Sequence, residues 1–395
     1  MLAAFCILLL SGITLLSYKK THSFFHPAVI VSLFWGGLLL AYQLFDHGLY
    51  PLSYKFFFAI LLWVTGFCFA SLWYYNKRII FSAPLYTQSF KVSLLKYSVY
   101  LFVTINIVGI YKFYSLSGGI AYNALVEFSV GTEKLPLEIR ILQLLQVVSI
   151  TLYTVLVLYR KQTKVSHKWM ILHAVTLFVW AGITANKTGL FQLVAVSVVA
   201  SYLHKKLSFS KILVVITVLL VAFYYLQNMR AEDVGGDDMS MKDIALTYVL
   251  SPMPAFDMVL NGRKQFTPGR TWRFFTEVAN KLGLTEKYNS GETGWVNVPV
   301  LTNVYTVMFP YYVDFGYWGI FIFSLILGSG WGVLYNEMKR GIPFFTVIYA
   351  VFIHTLVLQF FADYIVNFLS MVIQINIFCA ILLLHYKIKY PFWSK

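Results

Sequence analysis

Residues 303–321, NVYTVMFPYYVDFGYWGIF, place aromatic rings, one proline and one aspartate directly before an apolar segment that extends to about residue 336. An apolar segment of about 20 residues is long enough to cross the hydrocarbon core of a bilayer. The stretch therefore predicts a ring-rich segment outside a membrane that leads into a membrane-spanning helix beginning near Gly316.

The same apolar signal recurs along the chain. Of its 395 residues, 59% are hydrophobic and 12% are charged, whereas soluble domains carry roughly 25% charged residues. The segment at residues 2–17 lacks a basic start and a small-residue cleavage site, so we interpret it as a retained span. The sequence predicts an all-α polytopic membrane protein with about 11 transmembrane helices, at residues 2–17, 25–45, 54–74, 93–115, 140–158, 169–184, 188–203, 210–227, 316–336, 342–361 and 370–387.

Basic residues fall in alternate loops, which predicts the orientation. By the positive-inside rule their side is cytoplasmic, so the N-terminus is predicted outside and the C-terminus inside. Most of the net charge of +15 then faces anionic lipid headgroups, and no basic patch typical of nucleic-acid binding remains. The predicted cytoplasmic cations are Lys19, Lys20, Lys77, Arg78, Lys91, Arg160, Lys161, Lys164, Lys168, Lys205, Lys206, Lys211, Lys339, Arg340, Lys387, Lys389 and Lys395.

One external loop is much longer than the others. The predicted organisation is eight spans in residues 1–227, a long periplasmic loop at 228–315, and three further spans in 316–395. Within the loop, Ser240 is placed to cap one short helix, while Thr271 and Gly283 are placed to begin and end a second. The second is amphipathic and suited to the membrane surface: Trp272, Phe275 and Val278 or Ala279 share one face, and Arg273, Glu277 and Lys281 share another.

Arginines are concentrated on the predicted external side. A guanidinium grips phosphate oxygens through two parallel hydrogen bonds, whereas lysine acts as a point charge. The alternative is that these arginines pair with loop acids or lipid headgroups, and that a lysine in a short external turn only reaches toward the headgroups. The predicted diphosphate-binding residues are Arg230, Arg263, Arg270, Arg273 and Lys187.

The opening stretch supplies candidate sugar contacts. Rings beside polar groups suit sugars, so we predict a binding wall made by Asn303, Tyr305, Tyr311 and Tyr312. Asp314 is the candidate catalytic base, and a helix cap is an equally good role for it. Tyr317 and Trp318 are interpreted as an interfacial aromatic belt, and Asp363 and Asn367 as either a cap or a part of the same cavity.

Several other chemistries lack their usual residues. The long loop contains no histidine, and the chain has no metalloprotease, P-loop or dinucleotide-binding motif. Cys6, Cys68 and Cys379 all fall in apolar segments, and the acidic pair Asp237 and Asp238 reads as a solvated turn rather than a metal site. No cofactor and no metal are therefore expected.

Residues 303–328, NVYTVMFPYYVDFGYWGIFIFSLILG, resemble the stretch that enters a late span in Wzy-type O-antigen and oligosaccharide repeat-unit polymerases. The shared pattern is Asn-Val-Tyr-Thr, aromatic-Pro, aromatic-Tyr and Asp-Phe-Gly, followed by a span that contains glycine. The plan of many spans with one long, late loop is also similar, and Arg230 stands where that family often has an arginine. Lys187 departs from the pattern, because the family often has arginine at the matching turn.

The resemblance implies a GT-C-like integral membrane glycosyltransferase in the bacterial inner membrane, with its active site facing the periplasm. Its partners would be the bilayer and an undecaprenyl-diphosphate-linked oligosaccharide donor and acceptor, and an accompanying chain-length regulator protein is left open. Undecaprenyl diphosphate is the leaving group, so no sugar nucleotide is needed.

Four other kinds of protein compete with this interpretation. O-antigen ligases share the plan but use a histidine in the long loop, and another lipid-diphosphate-sugar transferase remains open. A flippase or transporter would show inverted repeats and charges deep in several spans, whereas His354 is nearly alone in that respect. A passive scaffold has no need of a long loop rich in arginine.

Overall fold

A computed structural model describes residues 1–77, 92–117, 136–184, 187–204, 217, 221, 224, 240, 246–285 and 294–384. Described elements are almost all helical. In chain order they are α1 Leu2–Thr21, α2 Pro27–Leu44, α3 Tyr54–Trp73, α4 Val92–Ser117, α5 Leu137–Leu158, α6 Arg160–Thr163, α7 His167–Ile183, α8 Lys187–Leu203, a π-helical turn Leu246–Leu250, α9 Pro252–Leu260, α10 Arg273–Lys281, β1 Val296–Asn297, β2 Leu301–Thr302, α11 Phe309–Lys339, α12 Pro343–Phe352, α13 His354–Val357, a 3₁₀ turn Leu358–Phe360 and α14 Leu369–Leu384.

Among these residues, six helices are long and apolar enough to cross a membrane. They are Leu2–Thr21, Pro27–Leu44, Tyr54–Trp73, Leu137–Leu158, Phe309–Lys339 and the continuous run Pro343–Phe360. Shorter apolar helices occupy Thr188–Leu203 and Leu369–Leu383, and α4 and α7 cover two more predicted spans. The prediction of a helical, multi-pass membrane protein is confirmed at this level. The predicted span at 210–227 lies outside the described residues apart from three single positions, so the number eleven stays a prediction.

The chain forms two compact units, each assembled from separate stretches. The first contains the described parts of residues 1–81, 240–337 and 355–372, and the second those of 82–239, 338–354 and 373–395. Each unit therefore depends on contacts between residues that are far apart in the sequence.

In the first unit, α11 packs closely on α3 through small residues. A Cβ added at Gly328 would lie 2.9 Å from Phe67 Cα, and one at Gly332 would lie 2.9 Å from Ser71 Cα. Gly66 of α3 in turn lies against Ser324 of α11. Since van der Waals contact drives helix association in a membrane, these glycines let the two backbones approach.

Two indole groups of the first unit share one acceptor. Trp35 Nε1 of α2 and Trp63 Nε1 of α3 donate to Gln359 Oε1 at 3.3 and 2.9 Å. The backbone carbonyl of Gln359 accepts the Val307 N–H at 2.8 Å. All three side chains are buried, so these bonds satisfy polar groups that have no access to water.

Asp257 fastens the loop helix α9 to the start of α3. Its carboxylate accepts the Ser53 N–H at 3.0 Å and the Ser53 hydroxyl, and Asn261 Nδ2 donates to it at 3.1 Å. The described loop thus rests on the spans rather than standing apart from them.

The second unit also buries polar groups as matched pairs. Ser149 Oγ lies 2.8 Å from His173 Nε2, and Asn106 Nδ2 donates to Thr176 Oγ1 at 3.0 Å. Gly109 faces the ring of Trp180, where a Cβ has no room. These contacts pack α4, α5 and α7 against one another.

The entry of α11 is broken at Gly316, whose φ of 62° and ψ of −150° are not helical. The residues from Phe309 to that break form a short helix of their own, and the longer helix follows it. The break falls at the residue where the sequence predicted the span to begin. A small antiparallel hairpin, in which Val296 pairs with Thr302, precedes this entry and was not predicted.

Candidate functional site

Asp314 binds the backbone of the loop segment that leads into α10. Its Oδ1 accepts the N–H groups of Gly269 and Arg270 at 2.7 and 3.1 Å, and its Oδ2 accepts that of Thr271 at 2.7 Å. A carboxylate offers about four acceptor positions, so these three bonds leave about one. These N–H groups precede α10, which begins at Arg273, so the carboxylate bridges two segments rather than capping a helix. Its role as a base stays a prediction that depends on the remaining position.

Thr271 does not cap α10 with its side chain. Its hydroxyl instead donates to the Pro310 carbonyl at 3.3 Å, which adds a further bond between the loop and the entry of α11. Gly283 has a φ of 72° directly after the helix, as expected of a glycine that ends it.

Arg270 is buried among aromatic rings. Only 8% of it is exposed, and its guanidinium carbon lies 4.7 Å from the ring centre of Phe266 and 5.1 Å from that of Phe309. Tyr305 stacks on Phe309 at 4.5 Å. A guanidinium over ring faces is attracted by the ring quadrupole, and burial strengthens that attraction. The arrangement holds a positive charge where water is scarce.

Tyr305 belongs to the same cluster. Its hydroxyl donates to the Gly294 carbonyl at 2.7 Å, and 4% of the residue is exposed. Burial raises the pKa of this hydroxyl above its ordinary value, while the nearby positive charge of Arg270 opposes the rise. Tyr305 therefore stays protonated and acts as a donor and a packing group.

Lys264 is a further cation of this cluster, and sequence reasoning missed it. Its Nζ lies 5.8 Å from the ring centre of Phe266, and a Cβ on Gly294 would lie 3.2 Å from that Nζ. Ion pairs between described residues are Lys112–Glu138 and Arg273–Glu277, so no described carboxylate pairs with Lys264. The signal that could have found it is the run GRKQFTPGR, in which basic residues flank a phenylalanine.

The other predicted cations lie elsewhere or are already engaged. Arg263 is exposed, and its backbone N–H donates to the Met258 carbonyl at 2.9 Å. Arg273 pairs with Glu277 at 2.8 Å on the surface of α10, so the alternative of pairing with a loop acid describes it. Lys187 is the first residue of α8 in the second unit, and Arg230 lies outside the described residues.

The predicted sugar wall divides into buried and partly exposed residues. Tyr311 is 0% exposed and stacks on Trp63 at 5.7 Å and on Phe323 at 4.3 Å. With its ring packed against protein, Tyr311 offers no surface to a sugar, and the buried Tyr305 offers little. Asn303 and Tyr312 remain partly exposed.

Asp363 caps the turn before α14. Its carboxylate accepts the N–H groups of Ile365, Val366 and Asn367 at 2.9, 3.1 and 3.2 Å and the Tyr311 hydroxyl at 2.9 Å. Burial raises the pKa of Asp363, although its hydrogen bonds act in the opposite direction. The bonded N–H groups lie ahead of Leu369, where α14 begins, so the carboxylate holds the preceding turn rather than capping the helix itself.

Within the described residues, no group of three histidine, cysteine or acidic side chains could hold a metal ion. Asp237 and Asp238 lie outside those residues, and the three cysteines are buried. Comparisons with family models, with curated proteins and with solved structures found no match. What the chain binds must therefore be inferred from the chemistry of its own residues.

Proposed function

We propose that this protein is an integral membrane glycosyltransferase that polymerises lipid-linked oligosaccharide repeat units, as Wzy-type polymerases do. The observation that carries the proposal is the pair of cations, Arg270 and Lys264, gathered on Phe266 beside the entry of a membrane span. The proposal includes about eleven spans in a GT-C-like arrangement, an external N-terminus and a site that faces the periplasm.

The cation pair suits a lipid-linked diphosphate. The Arg270 guanidinium carbon and Lys264 Nζ lie 4.7 and 5.8 Å from the ring centre of Phe266, and a diphosphate carries enough negative charge to attract both. Arg270 can supply two parallel hydrogen bonds to phosphate oxygens, and Lys264 a flexible point charge. The diphosphate of a polyprenyl donor lies at the membrane surface, which is where a span begins. Arg263, which belongs to the same unit, remains a predicted additional contact.

The proposed reaction transfers a glycan between two lipid carriers. The acceptor hydroxyl oxygen attacks the anomeric carbon of the donor, and the bond from that carbon to the diphosphate breaks. The hydroxyl proton passes to a base, for which Asp314 keeps about one acceptor position, and undecaprenyl diphosphate leaves with the bonding electrons. Cations at the diphosphate stabilise the charge that develops on the leaving group. Asn303 and Tyr312 are the proposed sugar contacts.

A gene deletion complemented with variants tests this function. We expect the deletion strain to keep single repeat units on its surface glycan and to lose long chains, as seen on gels. A strain that loses every repeat would overturn the proposal in favour of a ligase or a flippase.

Variants in that assay test the site. We expect Arg270→Ala and Lys264→Ala to shorten the chains strongly, because losing one charge-assisted bond of about 1.5–3 kcal/mol slows transfer roughly 10- to 100-fold. Arg160→Ala, which removes an exposed arginine at the first residue of α6, is the control and should restore full length. If Arg270→Ala and Lys264→Ala also restored full length, the diphosphate site would be wrong.

A further inference from the structure

The helix α10 exposes a complete apolar face. Trp272, directly before the helix, is 48% exposed, Phe275 51%, Val278 41% and Leu282, directly after the helix, 68%, and no residue of the helix is buried. These positions follow one another at helical spacing along a single side. Large apolar groups gathered in an exposed patch mark a surface that meets another apolar phase.

The opposite side of α10 is charged and hydrated. Arg273 and Glu277 form an exposed ion pair at 2.8 Å, and Lys281 follows one turn later. The helix thus separates cleanly into an apolar half and a polar half. With nine residues it is about 13.5 Å long, which is too short to cross a hydrocarbon core of about 30 Å.

The start of α10 is tied to the point where α11 changes from a short helix into a span. Asp314 accepts the N–H groups of residues 269–271, and Thr271 donates to Pro310. The break at Gly316 follows two residues after Asp314. Immediately around that break, Phe315 is 44% exposed and Trp318 is 74% exposed. The exposed face of α10 therefore begins near the exposed aromatic residues at the entry of a span.

We propose that α10 lies in the membrane interface, with Trp272, Phe275, Val278 and Leu282 among the upper acyl chains. The same bilayer that covers Phe315 and Trp318 at the start of α11 then covers the apolar face of α10. Arg273, Glu277 and Lys281 face the headgroups and water. Helices with one aromatic and aliphatic face and one basic face bind the interface in this way, with the apolar side about 5–10 Å deep.

This anchor does not depend on the proposed transferase activity. One consequence does rest on the proposed transferase activity. Because Arg270 is two residues before Trp272, the anchor sets the depth of the Arg270 guanidinium relative to the lipid phosphates. If quenching showed that α10 is not in the interface, the cation pair and the gene-deletion result would still stand. If the gene deletion contradicted the transferase, the quenching result would still stand.

Site-specific fluorescence quenching tests the anchor in the full chain. Phe275→Cys and Glu277→Cys place a polarity-sensitive fluorophore on the two halves of the same helix. The labelled proteins are reconstituted in vesicles of phosphatidylethanolamine and phosphatidylglycerol, with and without phospholipid brominated on its acyl chains. The native cysteines Cys6, Cys68 and Cys379 are buried, and the unsubstituted protein serves as the labelling blank.

We expect the label at position 275 to be quenched several-fold more strongly than the label at 277 and to emit at shorter wavelength. Val278→Cys and Lys281→Cys form a second matched pair, in case a member of the first does not fold. Equal, weak quenching on both halves would overturn the proposal. So would a disulfide between two chains through Phe275→Cys without quenching, because a second copy would then cover the face.

Discussion

Tyr311 and Tyr312 are adjacent in the chain, but protein encloses only the first. The Tyr311 hydroxyl donates to the buried carboxylate of Asp363, whereas Tyr312 is partly exposed and touches Phe256 and Tyr317 edge-on. We expect Tyr311→Phe to lower the free energy of unfolding by about 1–3 kcal/mol, because Asp363 loses a donor where water cannot replace it. Thermal unfolding of the purified protein in detergent measures the change.

Tyr312→Phe is the matched control for that variant. The same hydroxyl is removed one residue later from a partly exposed ring, so we expect a much smaller change in the unfolding temperature. Equal losses in the two variants would show that the hydrogen bond to Asp363 does not account for the effect.

The roles of individual residues could be predicted from the sequence only in part. The sequence placed Arg270 among five candidate cations and named a helix cap as an alternative role for Asp314. It could not separate Tyr311 from Tyr312, because the ring that covers Tyr311 belongs to Trp63, which lies far away in the chain. Lys264 was missed because its significance comes from Phe266 and Gly294, and neither is a recognisable partner in a linear pattern.

At the scale of elements, the contact between α3 and α11 depends on which glycines face it. Gly328 and Gly332 face backbone atoms of Phe67 and Ser71, whereas a Cβ on Gly330 meets nothing within 4 Å. We expect Gly328→Ala and Gly332→Ala each to destabilise the protein by about 1–3 kcal/mol, because a backbone cannot yield as a side chain can. The unfolding temperature in detergent reports the loss.

Gly330→Ala supplies the comparison within the same helix. Alanine is the better helix former by roughly 1 kcal/mol, so this variant should be neutral or more stable. A loss at position 330 equal to the losses at 328 and 332 would mean that glycine matters here for flexibility rather than for close approach.

Span locations were predictable because length and apolarity are local properties of the chain. The helix start at Phe309, ahead of the predicted start at 316, was not, because Pro310, Asp314 and Gly316 interrupt the apolar pattern just before the predicted span. The hairpin was missed because strands of two residues are too short to show an alternating pattern.

At the scale of the whole molecule, the orientation in the membrane is the property most open to direct test. Leu284 follows α10 on the predicted external side, and Lys161 lies in α6 on the predicted cytoplasmic side; both are exposed. We expect a membrane-impermeant maleimide to label Leu284→Cys in intact spheroplasts and Lys161→Cys only after permeabilisation, because the positive-inside rule places them on opposite sides. The reverse labelling pattern would mean that the predicted orientation is inverted. Labelling of both positions in intact spheroplasts would contradict the prediction that they lie on opposite sides.

The domains predicted from the sequence are consecutive stretches of the chain, whereas the compact units of the structure are not. The predicted division into 1–227, 228–315 and 316–395 follows the chain, whereas the two compact units each collect three separate stretches. Such grouping depends on contacts across hundreds of residues, such as those from Trp35 and Trp63 to Gln359. A local pattern carries no information about those partners.

The shared acceptor on Gln359 has a consequence for biosynthesis. Trp35 and Trp63 are synthesised 324 and 296 residues before Gln359, whose side-chain oxygen accepts their indole N–H groups. During most of translation, α2 and α3 therefore lack the acceptor that their two indole N–H groups bind in the folded protein. The first unit can form these two hydrogen bonds only after Gln359 has been made, so its assembly finishes late even though its first helices are the earliest to be made.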